Sequence, residues 1–208
     1  WGANNATSGV YAACVKLREA VAQTLGFNSA DAVFADGEVR AGNRSVPLAE
    51  AAGEAGLVAE DAIEYGDLGK KYQQSTFGAH FVEVAWQPEI ARLRINRTVS
   101  VIDGGRIVNP LTARNQIEGA VTMGIGMALF EETHYDHRHG MPINSNLADY
   151  IMATHADTPP MEVIFLDYPD THLNEMGVRG IGEIGLAGVA AAITNAVYHA
   201  TGVRVRDL

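Results

Sequence analysis

The sequence predicts an α+β fold in which mixed sheets pack against helices. Three observations support this class: several segments carry apolar residues at helical spacing, two neighbouring segments alternate as strands do, and these elements follow one another without a regular repeat. A doubly wound sheet would require strands and helices to alternate regularly. The 208 residues, 47% of them hydrophobic, are sufficient to bury a substantial core.

The first part of the chain predicts a long helix. Thr7 or Ser8 can cap a helix over residues 7–25, and Gly26 would end it. The segment before this cap is rich in glycine and asparagine and is expected to be a loop. The predicted apolar face of the helix consists of Val10, Cys14, Leu17 and Val21.

Small elements are predicted next. Two turn signals typical of hairpins, Asp36-Gly37 and Gly42-Asn43, predict small strands over residues 31–46. A proline then suits the first turn of a short helix over residues 47–56. Residues 60–77 are polar and without periodicity, which predicts a surface loop.

The centre of the chain predicts an antiparallel hairpin and a long helix. Residues 80–86 and 92–103 alternate in polarity on either side of a proline-containing turn. Asn109 followed by proline is typical of a helix start, and two apolar stripes predict that the helix over residues 109–132 is buried on most sides. These stripes are Ile117, Val121, Ile125 and Ala128, and Met123, Met127 and Phe130. Glycines within the helix predict that a neighbouring element or a ligand approaches its backbone at Gly119, Gly124 and Gly126.

The last third of the chain predicts short elements before one further helix. The predicted elements are a polar loop over residues 134–146, a strand over 161–166, a loop over 168–180, a helix over 186–201 and a strand over 203–205.

Composition and charge exclude several classes of partner. A net charge of −10 argues against broad affinity for nucleic acid or an anionic membrane, and no apolar run is long enough to span a bilayer. Cys14 is the single cysteine, so an internal disulfide is excluded. Because the chain begins at Trp1, without a methionine and directly before a loop-like segment, we expect a piece of a longer protein.

Residues 180–185, Gly-Ile-Gly-Glu-Ile-Gly, contain the strongest candidate for catalysis. Glu183 is the single ionisable residue of this hexapeptide, and Ile181 and Ile184 lie beside it in the sequence. A carboxylate in apolar surroundings is desolvated and holds a proton more readily, as a general base requires. The alternative is a glutamate in the first turn of a helix, where the helix dipole favours a negative charge.

Gln116 is a candidate for ligand binding. It lies at the edge of the apolar part of the helix over residues 109–132, and its amide offers both a donor and an acceptor to the edge of a heterocycle. It can equally bond to neighbouring backbone. Three histidines also lie close together in a polar loop: His134, His137 and His139. Their charged neighbours favour a solvated surface, so we predict no metal ligands there.

Three segments together resemble one family. The first covers residues 105–120 and 123–132, beginning Gly-Arg-Ile-Val-Asn-Pro-Leu-Thr-Ala-Arg-Asn-Gln. The second is Arg-Gly-Ile-Gly-Glu-Ile-Gly at residues 179–185, and the third covers residues 193–208. They resemble the C-terminal end of the molybdenum-binding large subunit of the xanthine dehydrogenase and aldehyde oxidoreductase family. The resemblance is closest to bacterial three-subunit aldehyde oxidoreductases and covers essentially the whole chain.

The resemblance implies that residues 1–208 form a C-terminal fragment of a molybdenum-cofactor-binding domain of the aldehyde oxidoreductase type. Cofactor and catalytic loops would lie near residues 1–5, 109–126 and 179–186. Glu183 matches the family's active-site glutamate, the general base beside the metal, and Gln116 matches the glutamine that meets the pterin. The other implied cofactor contacts are Gly180 and Gly182 in the catalytic loop, and Gly2, Ala3 and Asn4 at the end of an upstream loop.

The implied activity is that of a molybdenum hydroxylase, which oxidises aldehydes or N-heterocycles with water as the oxygen source. The cofactor would be molybdenum–molybdopterin, with or without a cytosine nucleotide. Electrons would pass to iron–sulfur clusters and FAD on partner subunits, since one cysteine cannot hold a cluster.

The implied partners are the remainder of the large subunit, an iron–sulfur subunit, an FAD subunit and a small aldehyde or heteroaromatic substrate. The fragment alone is expected to be inactive, because most of the family's pocket lies upstream. Its location would be the cytoplasm, or the periplasm if the complex is exported folded.

Two other interpretations stay open. The first is a non-catalytic binding or assembly module with the same fold, against which the presence of Glu183 counts. The second is an unrelated α+β ligand-binding domain in which residues 180–185 only begin a helix.

Overall fold

The computed structural model describes residues 2–53, 56–63, 66–73 and 75–207. The helices are α1 (Gly2–Thr24), α2 (Ala49–Ala52), α3 (Leu68–Lys71), α4 (Pro110–Leu129) and α5 (Val189–Thr201). The strands are β1 (Val33–Ala35), β2 (Glu38–Ala41), β3 (Arg44–Pro47), β4 (Phe77–Gln87), β5 (Arg92–Asp103), β6 (Tyr135–Asp136), β7 (Met141–Pro142) and β8 (Met161–Phe165). Two compact units result: residues 1–73 with 171–176, and residues 74–170 with 177–208. Both combine helices with a sheet, which confirms the predicted α+β class.

The first helix begins earlier than predicted. α1 starts at Gly2, so residues 2–5 are helical and the loop expected there is wrong. Thr7 and Ser8 do not cap the helix: the Thr7 hydroxyl donates to the Asn4 carbonyl and the Ser8 hydroxyl to the Asn4 side chain, both at 3.3 Å. Hydroxyl groups that bond back one turn are accommodated inside a helix.

The apolar face predicted for α1 is also largely wrong. Of its four residues Val21 alone is buried, whereas Val10 is 64% exposed. The buried end of α1 packs over the small sheet of the first unit. This core consists of Val21, Ala22, Leu25, Phe27, Ala32, Val39 and Ala51.

The small strands of the first unit agree with the turn signals. β1, β2 and β3 form an antiparallel sheet in that order. Asp36 and Gly37 both have positive φ, 53° and 77°, as the two-residue turn between β1 and β2 requires. Pro47 does not begin a helix as predicted, because it ends β3 opposite Glu38, and α2 follows it. The predicted loop over residues 60–77 contains the one-turn helix α3.

The second unit is built on a three-stranded mixed sheet with the order β4-β5-β8. β4 and β5 form the predicted antiparallel hairpin, with a register shift between Glu83 and Val84. β8 lies parallel to β5. The helices α4 and α5 pack beside this sheet and build the second core, which consists of Ile102, Ile117, Val121, Ile125, Val189 and Ile193.

α4 begins as predicted, since the Asn109 side chain accepts hydrogen bonds from the backbone N–H groups of Leu111 and Thr112 at 3.1 and 3.3 Å. Its burial on most sides is wrong. The stripe containing Ile117 is buried, but the stripe Met123, Met127 and Phe130 is exposed. One face of the helix contacts the sheet and α5, and the described residues leave the opposite face uncovered.

The C-terminal segment differs in two places from the predicted pattern. α5 begins at Val189 rather than at residue 186, because Gly188 precedes it with a φ of 91° and the residues before Gly188 form turns. Residues 203–205 do not form the predicted strand. The polar loop over residues 134–146 contains the short pair β6–β7. Over the described ranges, no helix combines the length and apolar character needed to cross a membrane.

Candidate active site

The candidate catalytic residue lies in the segment between β8 and α5. We call residues 179–188 the glycine loop. At its start, the Arg179 backbone N–H donates to the Gly104 carbonyl at 3.0 Å. The Thr76 hydroxyl donates to the Gly180 carbonyl at 2.6 Å. The start of the loop is therefore bonded both to the segment before β4 and to the end of β5.

A guanidinium group reinforces this attachment. The Arg179 side chain is 12% exposed and forms a short hydrogen-bonded ion pair with Asp103. The other terminal nitrogen, Nη1, donates to the Ser75 carbonyl at 2.9 Å and lies 3.8 Å from a carboxylate oxygen of Asp170. Charge-assisted hydrogen bonds of this kind are stronger than neutral ones. The charge of Arg179 is thus satisfied within the protein.

Two isoleucines form the underside of the glycine loop. Ile181 packs on Gly104, where an added Cβ would lie 2.5 Å from the Ile181 Cγ2. Ile184 packs near Gly78, where an added Cβ would lie 3.7 Å from the Ile184 Cγ1. Both side chains therefore turn under the loop, toward the ends of β4 and β5.

Glu183 lies on the outside of this arrangement. Its side chain is exposed, and within the described residues it takes part in no hydrogen bond or ion pair. The desolvation predicted from its apolar neighbours in the sequence is wrong for this chain. The physical reason is the turn of the backbone, which directs Ile181 and Ile184 toward the protein and Glu183 toward solvent.

The glycine loop also contacts α4 close to Gln116. An added Cβ at Gly185 would lie 2.9 Å from the Ala120 Cβ and 3.0 Å from the Ile117 Cα. Gln116 immediately precedes Ile117 and is exposed. The structure thus brings the glycine loop against the helix that carries Gln116. The side chains of Glu183 and Gln116 are both exposed.

The two glycines predicted to approach a cofactor differ in their surroundings. Gly180 is half-buried, and its carbonyl accepts the hydrogen bond from the Thr76 hydroxyl. Gly182 is exposed, and no other atom lies within 4 Å of the place where its Cβ would be. The backbone at Gly182 is therefore open to close approach by another molecule.

The predicted contacts at the beginning of the chain lie in the first unit, on α1. Gly2, Ala3 and Asn4 belong to the first turn of that helix. Asn4 is 3% exposed, and its side-chain oxygen accepts the hydrogen bond from Ser8.

A histidine lies under the far end of the glycine loop. The His80 Nδ1 atom is 2.8 Å from the Ser100 Oγ, in the register pair that joins β4 to β5. The ring faces Gly188, where an added Cβ would lie 3.6 Å from the His80 Cδ2. Burial lowers the pKa of His80, and the nearby backbone of Ile184 and Ala187 partly offsets that effect. Burial of the ring therefore favours its neutral form.

The residues around the glycine loop fit an organic cofactor. An exposed amide, an open glycine backbone and an exposed carboxylate suit a ligand with a heterocyclic edge and a reactive centre. In the part of the chain that the structure describes, no group of three or more His, Cys, Asp or Glu side chains could hold a metal ion. His139, one of the three loop histidines, pairs instead with Asp136.

Sequence reasoning missed the residues that anchor the loop. In the sequence Arg179 is recognisable only as part of a motif, because its ion pairs with Asp103 and Asp170 join positions far apart in the chain. His80 is recognisable there only as a strand residue. A histidine opposite a serine in a predicted hairpin was the available signal, because register places the two side chains on one face.

Comparison with known proteins identifies the type of domain. The family model for the molybdopterin cofactor-binding domain matches residues 2–159. The aldehyde oxidoreductase molybdenum-binding subunit of Escherichia coli K12 is 53% identical over 207 residues, which are all of this chain and 28% of that protein. A putative xanthine dehydrogenase molybdenum-binding subunit of the same strain is 42% identical over 132 residues, which are 64% of this chain and 17% of that protein.

Solved structures share the architecture. Quinoline 2-oxidoreductase from Pseudomonas putida 86 superimposes with a TM-score of 0.71 and 25% identity, over 90% of this chain and 25% of that one. The Cu,Mo-CO dehydrogenase shares the fold with a TM-score of 0.70 over 91% of this chain and 24% of that one, at 22% identity. The chain therefore spans about a quarter of the length of these proteins.

Proposed function

The chain belongs to the molybdopterin cofactor-binding domain family, and from this premise we propose that it is the C-terminal part of the large subunit of a molybdenum hydroxylase. The family resemblance found in the sequence is confirmed by the match over residues 2–159. The proposed enzyme oxidises aldehydes or N-heterocycles and takes the added oxygen from water. The 53% identity to an aldehyde oxidoreductase subunit favours an aldehyde as the substrate.

We assign cofactor contacts to groups around the glycine loop and, separately, to the first turn of α1. The Gln116 amide would bond to the edge of the pterin, since it is exposed beside the contact between α4 and the loop. Gly182, together with Gly180, would allow the cofactor to approach the backbone. Gly2, Ala3 and Asn4 stay proposed contacts, now from the first turn of a helix. The cofactor would be molybdenum–molybdopterin, alone or in its cytosine dinucleotide form.

Glu183 is the proposed general base. When bound, the molybdenum centre supplies Lewis acidity and accepts electrons. A carboxylate oxygen of Glu183 would accept the proton of the attacking oxygen derived from water. The single observation that carries this assignment is the architecture of the loop. Its isoleucines and Arg179 are anchored to the protein, and Glu183 alone among its ionisable groups projects outward.

The remaining parts of the enzyme would lie on other polypeptide segments. Iron–sulfur clusters and FAD would be held by partner subunits, because the single cysteine of this chain, Cys14, cannot ligate a cluster. The substrate pocket would involve the remainder of the large subunit. The complex would function in the cytoplasm, or in the periplasm if it is exported folded.

Substitution of Glu183 in the full-length, cofactor-loaded enzyme tests the proposal. Glu183→Gln keeps the size of the side chain but removes the proton acceptor, so kcat should fall by about 10²–10⁴-fold. Glu183→Asp should also lower kcat, because it withdraws the carboxylate by about one methylene group and proton transfer requires hydrogen-bond reach. Molybdenum and pterin content are measured in parallel and should not change.

The matched control is Glu89→Gln, in the exposed turn between β4 and β5. It removes one surface carboxylate at the opposite end of the hairpin and should leave kcat unchanged. A Glu183→Gln enzyme with full cofactor content and a rate within a few-fold of the wild type would reduce Glu183 to a residue at the start of a helical turn. That result would favour a non-catalytic binding or assembly module.

A further inference from the structure

His80 lies at the other end of the glycine loop from Arg179. β4 places its ring against the backbone of Gly188, and β5 supplies the Ser100 hydroxyl that fixes the ring. The Nε2 atom is buried and has no hydrogen-bond partner in the described part of the chain. The proposed reaction makes no use of this residue, so its place under the loop requires another explanation.

Glu183 is held between two attachments. On the N-terminal side, the Arg179 ion pair with Asp103 and the bond from Thr76 to Gly180 fix the backbone. On the C-terminal side, Gly185 packs against α4, and the ring of His80 lies against the backbone of Gly188. Loss of one of these attachments would give the intervening carboxylate more freedom to move, because exposed loops with few contacts open readily.

The surroundings of His80 favour a neutral ring. The ring lies beside a cavity of about 420 Å³ between β4 and α5. The titratable groups that line this cavity are Glu83 on the same strand and His199 on α5. Ser100 contributes an uncharged partner from β5. A neutral imidazole has one donor and one acceptor nitrogen, so it can bond to Ser100 at Nδ1 and present Nε2 to the loop.

We propose that His80 is a positioning residue that acts through Glu183. Its ring, fixed by Ser100, supports the C-terminal half of the glycine loop and thereby keeps the Glu183 carboxylate within reach of the reacting atoms. This inference rests on the proposed role of Glu183 as the general base. A displacement of a catalytic group by about 1 Å can lower a rate by about 100-fold, so support of this kind has a measurable effect.

Two substitutions in the full-length enzyme distinguish the contribution of the ring's shape from that of its hydrogen-bonding nitrogens. His80→Phe keeps the ring and removes both nitrogens, and kcat should fall by about 10–100-fold with KM and cofactor content unchanged. His80→Asn places an amide donor and acceptor near the position of Nδ1, where it can bond to Ser100, and should recover part of the rate. His199→Asn is the control, because His199 is exposed in the same cavity on α5. It should have no effect.

A double-substitution cycle shows whether His80 acts through Glu183. In a Glu183→Gln background, His80→Phe should cause little additional loss, because the positioned group has already been removed. Equal losses from His80→Phe in both backgrounds would overturn the inference. If Glu183→Gln alone leaves the rate unchanged, the proposed function fails. If it lowers the rate and His80→Phe does not, the inference alone fails.

Hydrogen exchange gives a readout independent of turnover. The amides of residues 181–188 should exchange faster in His80→Phe than in the wild type or in His199→Asn, with or without bound cofactor. Unchanged exchange in that segment would contradict the inference. Should His80→Phe fail to fold, Ser100→Ala serves the same purpose, since it leaves the ring and removes its fixing hydroxyl. Unchanged kcat and exchange in Ser100→Ala would then overturn it.

Discussion

Arg179 shows how one side chain can fix a functional loop to its scaffold. The guanidinium group is nearly buried, and it joins the backbone of Ser75 to the carboxylates of Asp103 and Asp170. Its Nε atom is buried without a partner among the described residues. The planar guanidinium group can bond in several directions at once, which an ammonium group cannot do in the same geometry.

We expect Arg179→Met to destabilise the second unit. Removal of one partner of a buried ion pair leaves the carboxylates uncompensated, and the free energy of unfolding should fall by about 3 kcal/mol. Arg179→Lys should cost less, because it keeps the charge and loses the planar fork. Urea unfolding of the chain, followed by tryptophan fluorescence and circular dichroism, measures both changes.

The exposed pair between Arg97 and Glu162 provides the matched control. Its side chains are 56% and 49% exposed, and solvent-exposed pairs contribute at most about 1 kcal/mol. Arg97→Met should therefore have little effect on stability. Equal losses from Arg97→Met and Arg179→Met would show that the guanidinium of Arg179 does not anchor the loop.

At the scale of elements, α4 combines two glycines with opposite surroundings. Gly124 lies against α5, where an added Cβ would be 2.6 Å from the Val189 Cβ. At Gly119 no other atom lies within 4 Å of the place for a Cβ. The predicted close approach of a neighbouring element is therefore confirmed at Gly124, whereas no element of the described chain approaches Gly119. At Gly126 the nearest group is the Glu131 carboxylate.

This contrast predicts opposite effects for the same substitution. Gly124→Ala should lower the free energy of unfolding by about 1–3 kcal/mol, because overpacking forces α4 and α5 apart. Gly119→Ala should raise it by about 0.5–1 kcal/mol, because alanine reduces the entropy cost of forming the helix. Thermal and urea unfolding measure both variants. A stabilising Gly124→Ala would show that α4 and α5 do not pack as described.

At the scale of the whole molecule, the chain spans only a small share of the length of its relatives. It spans 28% of an aldehyde oxidoreductase subunit with which it shares 53% identity. Its Met123, Met127 and Phe130 side chains on α4 are exposed, and the large subunit is the proposed source of the remaining pocket. We therefore expect the isolated chain to be inactive.

The proposed function also predicts how electrons leave the molybdenum centre. A cofactor-loaded large subunit prepared without iron should be reduced by substrate but should not pass electrons rapidly to a physiological acceptor, because the iron–sulfur clusters are proposed to lie on a partner subunit. Stopped-flow spectroscopy distinguishes the single reduction from repeated turnover, and addition of the iron–sulfur partner should restore turnover. Fast turnover by the iron-free subunit would contradict the assignment of the iron–sulfur clusters to a partner subunit.

Local chemistry explains which parts of the fold were predictable. The cap at Asn109, the turn at Asp36-Gly37 and the hairpin of β4 and β5 depend on neighbouring residues, and the structure confirms them. The start of α1 was predicted incorrectly. Serine and threonine hydroxyls can either cap a helix or bond to the preceding turn, and their sequence does not decide between the two. In α1 the hydroxyls of Thr7 and Ser8 bond to Asn4 in the preceding turn.

The sequence alone determined the family, the α+β class and the position of Glu183 in its glycine-rich segment, since these depend on the order and spacing of residues. Only the tertiary structure decided that Glu183 is exposed while Ile181 and Ile184 lie beneath it. Tertiary packing likewise decided which stripe of α4 is buried, and it placed the ring of His80 beside Ser100 and Gly188. Burial and support arise from contacts between segments distant in the chain, and local periodicity carries no information about which segments will meet.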